Sequence, residues 1–127
     1  MISINTKIQG RWGEVRASEY LKKKGYDIIG MGYATRFGEI DIIAKDKTFV
    51  VFVEVKLRKS DKFAPAMAFV TAEKQRRIVT TAGLWLTQND LGLQPRFDVI
   101  EVYAPQGIGT VDPKINHIVN AFSEAGA

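Results

Sequence analysis

Cysteine is absent from the 127 residues, which excludes disulfides, thiolate nucleophiles and cysteine metal sites and fits a reducing cytoplasm. Histidine is nearly absent too, with His117 alone, so any metal has to be held mainly by oxygen ligands. No apolar run approaches the roughly 20 residues of a membrane span, and Met1 to Gln9 has no stretch of signal-peptide length. The expectation is a soluble, cytoplasmic protein without a membrane partner. Repeats and low-complexity segments are also missing. What is present, 127 residues at 46% hydrophobic content, suits one hydrophobic core, so residues 1–127 are read as a single domain.

Charge is unevenly supplied. Eighteen Lys and Arg against fourteen Asp and Glu leave a net charge of +4, with basic clusters at Lys22-Lys23-Lys24, from Lys56 to Lys62 and from Lys74 to Arg77. Such clusters suit a polyanionic partner. The plainer alternative is that short Lys/Arg runs are solvated helix faces.

Periodicity predicts a helix from about Lys7 to Lys24, stopped by Gly25 after three lysines that complement its negative end. Two stripes of this helix compete for burial: Gly10, Glu14, Ala17 and Leu21, or Ile8, Trp12, Val15 and Glu19. Tyr26 to Ile29 reads as a short strand. Gly38 to Ala44 and Thr48 to Leu57 read as a hairpin about the turn Lys45-Asp46-Lys47. Phe49 to Val53 lacks polar alternation, which marks a central strand covered on both faces. Arg58 to Val70 reads as an irregular loop. Thr71 then caps a second helix with apolar positions Ile78, Ala82, Trp85 and Leu86. Phe97 to Tyr103 is a further strand, and Ile115 to Phe122 a last short element. The order helix, three strands, helix, strand implies an α/β fold, a mixed central sheet flanked by helices.

Asp41 and Glu54 lie on the two arms of the hairpin. A register pairing Asp41 with Glu54 or with Phe52 sets both carboxylates on one face, whereas a slip of one residue separates them. Lys56, two residues beyond Glu54, shares its face. Unpaired buried charge costs several kcal/mol, so two carboxylates beside an apolar strand call for a cation, and oxygen ligands favour Mg2+ or Mn2+. The alternative for Glu54-Val55-Lys56 is the solvated end of an ordinary strand. Ile40, Ile42 and Ile43 around Asp41 weigh against it, because they place a second acid on a buried strand.

An acid on one strand followed by acid, any residue, lysine on the next resembles the core of the PD-(D/E)XK nucleases. A fuller resemblance, over nearly the whole chain, is to the YraN family of uncharacterised bacterial proteins. It is carried by Gly10-x-x-x-Glu14-x-x-Ala17-x-x-Tyr20-Leu21, Gly25-Tyr26, Gly38-Glu39-Ile40-Asp41, Val51-Phe52-Val53-Glu54-Val55-Lys56, Lys74-Gln75-Arg76-Arg77, Arg96-Phe97-Asp98-Val99 and His117-Ile118. Departures fall at Met31-Gly32-Tyr33 and at Leu57, and neither touches the acids. The resemblance implies a restriction-endonuclease-like core, similar to Holliday-junction resolvases. It also selects the Glu14 stripe as the sheet-facing side of the first helix.

The resemblance further implies a metal-dependent endonuclease acting on DNA, and its similarity to resolvases suggests branched or nicked structures. Asp41, Glu54, the Val55 carbonyl and Glu14 would hold Mg2+ (or Mn2+), while Lys56 orients water or steadies developing charge. Glu39 is a second-rank candidate. Arg58, Lys59, Lys74, Gln75 and Arg77 are expected to contact nucleic acid. Asp98, His117, the tryptophans and the phenylalanines are expected in structural roles. Two readings compete, a non-catalytic nucleic-acid-binding module on the same fold and an adaptor for another protein; a homodimer is compatible with any of them.

Overall fold

Five consecutive apolar residues, Phe49 to Val53, cannot face water on either side, and the strand they belong to sits in the middle of the molecule. The computed structural model describes residues 6–60 and 70–123. Its elements are α1 (Thr6–Lys23), β1 (Asp27–Thr35), β2 (Gly38–Lys45), β3 (Phe49–Arg58), α2 (Ala72–Gln88), β4 (Gln94–Tyr103), a single 3-10 turn at Gly107–Gly109 and β5 (Lys114–Phe122). One sheet takes all five strands in the order β1-β2-β3-β4-β5. β3 and β4 run parallel and the other neighbours antiparallel. The fold is therefore α/β with a mixed sheet and two helices, as the element order implied.

Each helix covers one face. Ala17 and Leu21 of α1 pack on Ile42, Val51, Val53, Ile100 and Val102. Ile78, Ala82 and Trp85 of α2 pack on Ile43, Val50, Phe52, Phe97 and Val99 on the other side. The contest on α1 is thus decided for the stripe containing Glu14, since Ile8 is 55% exposed while Ala17 and Leu21 are fully covered. Gly13 faces the Leu57 side chain, where a Cβ would make ordinary van der Waals contact at 3.6 Å. The helix ends as its sequence dictates. Gly25 takes φ +95°, and the Gly25 and Tyr26 amides donate to the Lys22 and Leu21 carbonyls, a Schellman closure.

Three local details differ from expectation. β1 runs on to Thr35 through Gly30 and Gly32, because its pairing with β2 and a register shift between Ile28 and Gly30 absorb what reads in sequence as a break. β4 begins three residues earlier than expected, at Gln94, where the parallel ladder opposite Phe49 starts. The tail element is a full edge strand paired with β4, adding a fifth strand. Of the loop expected from Arg58 to Val70, residues 61–69 lie outside those described.

Candidate functional site

The hairpin register places the acids. β2 and β3 pair Ile42 with Val53 and Ile43 with Phe52, and continuing by one step sets Asp41 opposite Glu54. Here the ladder changes character: the Val55 amide donates to Asp41 Oδ2 at 2.8 Å, so a side chain occupies a donor at the sheet's open end. Alternation along β2 changes at the same point. Ile40 packs on the α2 side whereas Ile42 packs on the α1 side.

The second helix completes the arrangement. Thr71 Oγ1 accepts from the Lys74 amide at 3.2 Å, the N-cap expected from sequence. That cap puts Lys74 in the first turn, over the end of β3, where its ammonium meets the Glu54 carboxylate. Lys56 Nζ reaches the same Glu54 oxygen, Oε2, at 3.3 Å. Glu54 is only 5% exposed, so two cations balance one buried anion. A depression of about 540 Å³ opens over the group, lined by Glu14, Glu39, Asp41, Glu54, Lys56 and Lys74 among others.

The electrostatics of the cluster follow from its crowding. Burial, and then the neighbouring Glu54 charge, push the Asp41 carboxyl up to about 8 against the opposing effect of the Val55 amide. Glu14 is raised as well, first by burial and then by Glu39, with Arg11 working the other way. Burial and the nearby Lys74 lower Lys56. For Lys74, burial acts downward, but its bond to Glu54 prevails and its pKa ends raised.

Asp41, Glu54, Lys56 and Glu14 therefore share one depression, with Glu39 at its margin. Among the described residues no three Asp, Glu or His side chains converge tightly enough to hold an ion by themselves. The donor set still fits a small hard cation. Mg2+ is usually bound through one or two carboxylates and keeps several waters, and Asp41 and Glu54 supply two adjacent carboxylates in one depression.

The expected nucleic-acid contacts scatter. Lys74 is at the site, on Glu54. Arg77 lines the same depression, exposed and paired with Glu73 one turn earlier at 2.7 Å. Gln75 turns back to the Val70 carbonyl at 3.0 Å. Arg58 belongs to β3 rather than to a loop, and its guanidinium donates to Glu101 at 2.7 Å with the side chain 9% exposed. Lys59 is exposed but borders a separate depression with Tyr103 and Lys114. Asp98 and His117 take the structural roles expected. Arg96 grips Asp98 with two bonds of 3.0 and 2.8 Å, and His117 bridges Asp98 to the Tyr20 hydroxyl. Phe52, Phe97 and Phe122 are core, but Phe37 is 40% exposed at the β1–β2 turn. Sequence reading missed that turn; the signal was Thr35-Arg36-Phe37-Gly38, a tight turn whose two central residues are not turn formers.

Relatives match nearly the whole chain. The chain is 43% identical to a UPF0102 protein of Caldanaerobacter subterraneus, over 96% of this chain and all of that one. It is 42% identical to a UPF0102 protein of Clostridioides difficile, over 94% of this chain and all of the relative, and 45% identical to one of Desulfosudis oleivorans, over 89% and 88% respectively. The profile of Uncharacterised protein family UPF0102 matches residues 13–102, a span that begins on α1 and ends in β4. The chain belongs to the UPF0102 (YraN) family.

Proposed function

We propose that the protein is a metal-dependent nuclease of the PD-(D/E)XK type, hydrolysing phosphodiester bonds in DNA on a restriction-endonuclease-like core. The observation that carries this reading is the pair Asp41 and Glu54, side by side at the end of two buried strands, with the Asp41 carboxyl pushed up to about 8 and Lys56 on Glu54. A carboxyl perturbed in this way beside a second acid, in a solvent-reached depression, supports a site built for charge handling.

Asp41, Glu54 and the Val55 carbonyl are the groups that would hold Mg2+ or Mn2+, with Glu14 behind them. When bound, the ion supplies Lewis acidity to the phosphodiester and lowers the pKa of a water ligand. Lys56, with its pKa lowered by burial, is placed to orient that water or to steady charge on the phosphoryl oxygens. Lys74 has its hold on Glu54 to exchange for a substrate phosphate, so the ammonium that balances the acid in the free protein becomes available where phosphate charge arrives. The mixed sheet with one helix on each face agrees with the core that the sequence resembles.

The same two lysines favour a second reading, because a Glu54 already neutralised on both sides suits a non-catalytic nucleic-acid-binding module. One experiment separates them: incubation of the protein with linear, nicked, flapped and branched DNA in Mg2+ or Mn2+. Cleavage that disappears in Asp41→Asn and in Glu54→Gln is the expected result. DNA binding without cleavage of any substrate would leave only the binding module.

A further inference from the structure

Next to the acid depression, and sharing Gly38, Glu73 and Arg77 with it, lies a second concavity of about 520 Å³ formed by the β1–β2 turn and the outer face of α2. Gly38 is the reason the turn lies there. A Cβ at this position would stand 3.2 Å from both Arg77 Cβ and Thr81 Oγ1, a tight contact that glycine avoids where the start of β2 leans on α2. The turn itself is fixed by Thr35, whose hydroxyl accepts from the Phe37 amide at 3.1 Å and donates to the Gly38 carbonyl at 3.4 Å.

Its two tip residues serve no such purpose. Two-residue hairpin turns favour Gly, Asn or Asp with positive φ, whereas this one holds Arg36 and Phe37, neither of which has positive φ. Phe37 stands 40% exposed, and the Arg36 guanidinium lies 4.7 Å from its ring centroid. Across the concavity stand Arg76 and Arg77. Arg77 is neutralised by Glu73, but Arg36 and Arg76 make no ion pair among the described residues. An aromatic face and two uncompensated guanidinium groups thus border the acids.

Resting on the nuclease reading of the adjoining depression, we infer that the Arg36-Phe37 turn and Arg76 form the path of a DNA strand leaving that site, with Phe37 stacking on an unpaired base beside the scissile phosphate. The chemistry selects this occupant. Guanidinium groups match phosphates, and an exposed ring can pair its face only with a base already out of the helical stack. The substrate class is accordingly DNA with unpaired nucleotides next to the cleaved bond, rather than uninterrupted duplex. Arg36 over the ring keeps the aromatic face near a phosphate-binding charge.

The test is fluorescence anisotropy with the full chain in EDTA, so that binding is read without cleavage, using a labelled single strand and a blunt duplex of the same sequence. Wild type should bind the single strand. Phe37→Ala should weaken that binding about tenfold and leave the duplex within about twofold, while Phe37→Tyr, which keeps a ring, should retain it. Arg36→Gln and Arg76→Gln should each lower the slope of log affinity against log salt by about 0.7 on the single strand. Wild-type binding in all these variants, or equal losses on single strand and duplex, overturns the inference, as does wild type that binds no single strand. The two readings fail separately. Cleavage by the wild type together with unaltered binding by the variants refutes the strand path alone; the expected binding losses without cleavage of any DNA by the wild type refute the nuclease alone.

Discussion

Replacing Asp41 by Asn removes the charge that the fold tolerates least and leaves the shape intact. An acid raised from 3.8 to about 8 corresponds to at most about 6 kcal/mol at roughly 1.4 kcal/mol per pKa unit, and about half of that is taken as the working figure. The direction follows from proton binding. The folded protein holds this proton more tightly than the unfolded chain, so the corresponding stability is present in full below about pH 4 and is lost as pH rises through about 8. Asn cannot lose a proton, its side-chain oxygen still accepts from the Val55 amide, and its NH2 finds Glu54. In metal-free buffer the variant should come within about 1 kcal/mol of wild type at pH 5 and exceed it by about 3 kcal/mol at pH 9, or about 10 °C in melting temperature for a domain of this size. Millimolar Mg2+ should raise the wild-type melting temperature in proportion to the logarithm of its concentration and leave the variant nearly unmoved, since a ligand has been removed. Chemical denaturation with and without EDTA across pH 5–9 measures both effects. A metal-free variant clearly less stable than wild type at pH 9, with wild type indifferent to Mg2+ and Mn2+, would refute the reasoning and recast Asp41 as a member of a structural network.

On the proposed reading, in which Arg36 and Arg76 grip DNA and Glu54 handles the ion, Glu54→Gln should abolish metal-dependent cleavage and leave single-strand affinity within a few-fold, checked by parallel cleavage and anisotropy assays. Asp98→Asn should cost about 3–5 kcal/mol in urea denaturation, since Arg96 and His117 lose the fully buried charge they share. In wild type this carboxyl, buried but held by His117, Arg96 and the Asn120 amide, lies below its usual pKa, so its contribution is complete above about pH 4 and is lost as acid protonates it; the variant's acid limb should be correspondingly flatter. Thr71→Ala should lose about 1 kcal/mol with the α2 cap, and by loosening Lys74 it should alter cleavage more than stability. Gly38→Ala should destabilise the fold, because the new methyl meets Arg77 and Thr81 at 3.2 Å, and it should weaken single-strand binding by moving the Arg36-Phe37 turn away from α2.

Local chemistry in the sequence determined most of the elements and the two residues at the centre of the site. Thr71 capping α2, Gly25 ending α1 and the unbroken apolar run of β3 act through their nearest neighbours, so each is legible without a fold. The hairpin joins Asp41 to Glu54 over a short turn, and period-two alternation leaves few registers that bury Ile42, Ile43 and Val51 to Val53. The burial of α1 along Ala17 and Leu21 was open in its own periodicity and was settled by packing on β3 and its neighbours. The fate of the basic residues depended on tertiary structure altogether. Arg58 and Lys74 look alike in sequence, yet one ends beside Glu101 on the neighbouring strand and the other, from the first turn of α2, on Glu54 of β3. An ion pair between residues far apart in the chain follows from strand order and helix placement, which no window of sequence contains. The same holds for the closeness of the β1–β2 turn to α2. Gly38 permits it, but only the packed helix reveals that a side chain there would have met Arg77 and Thr81.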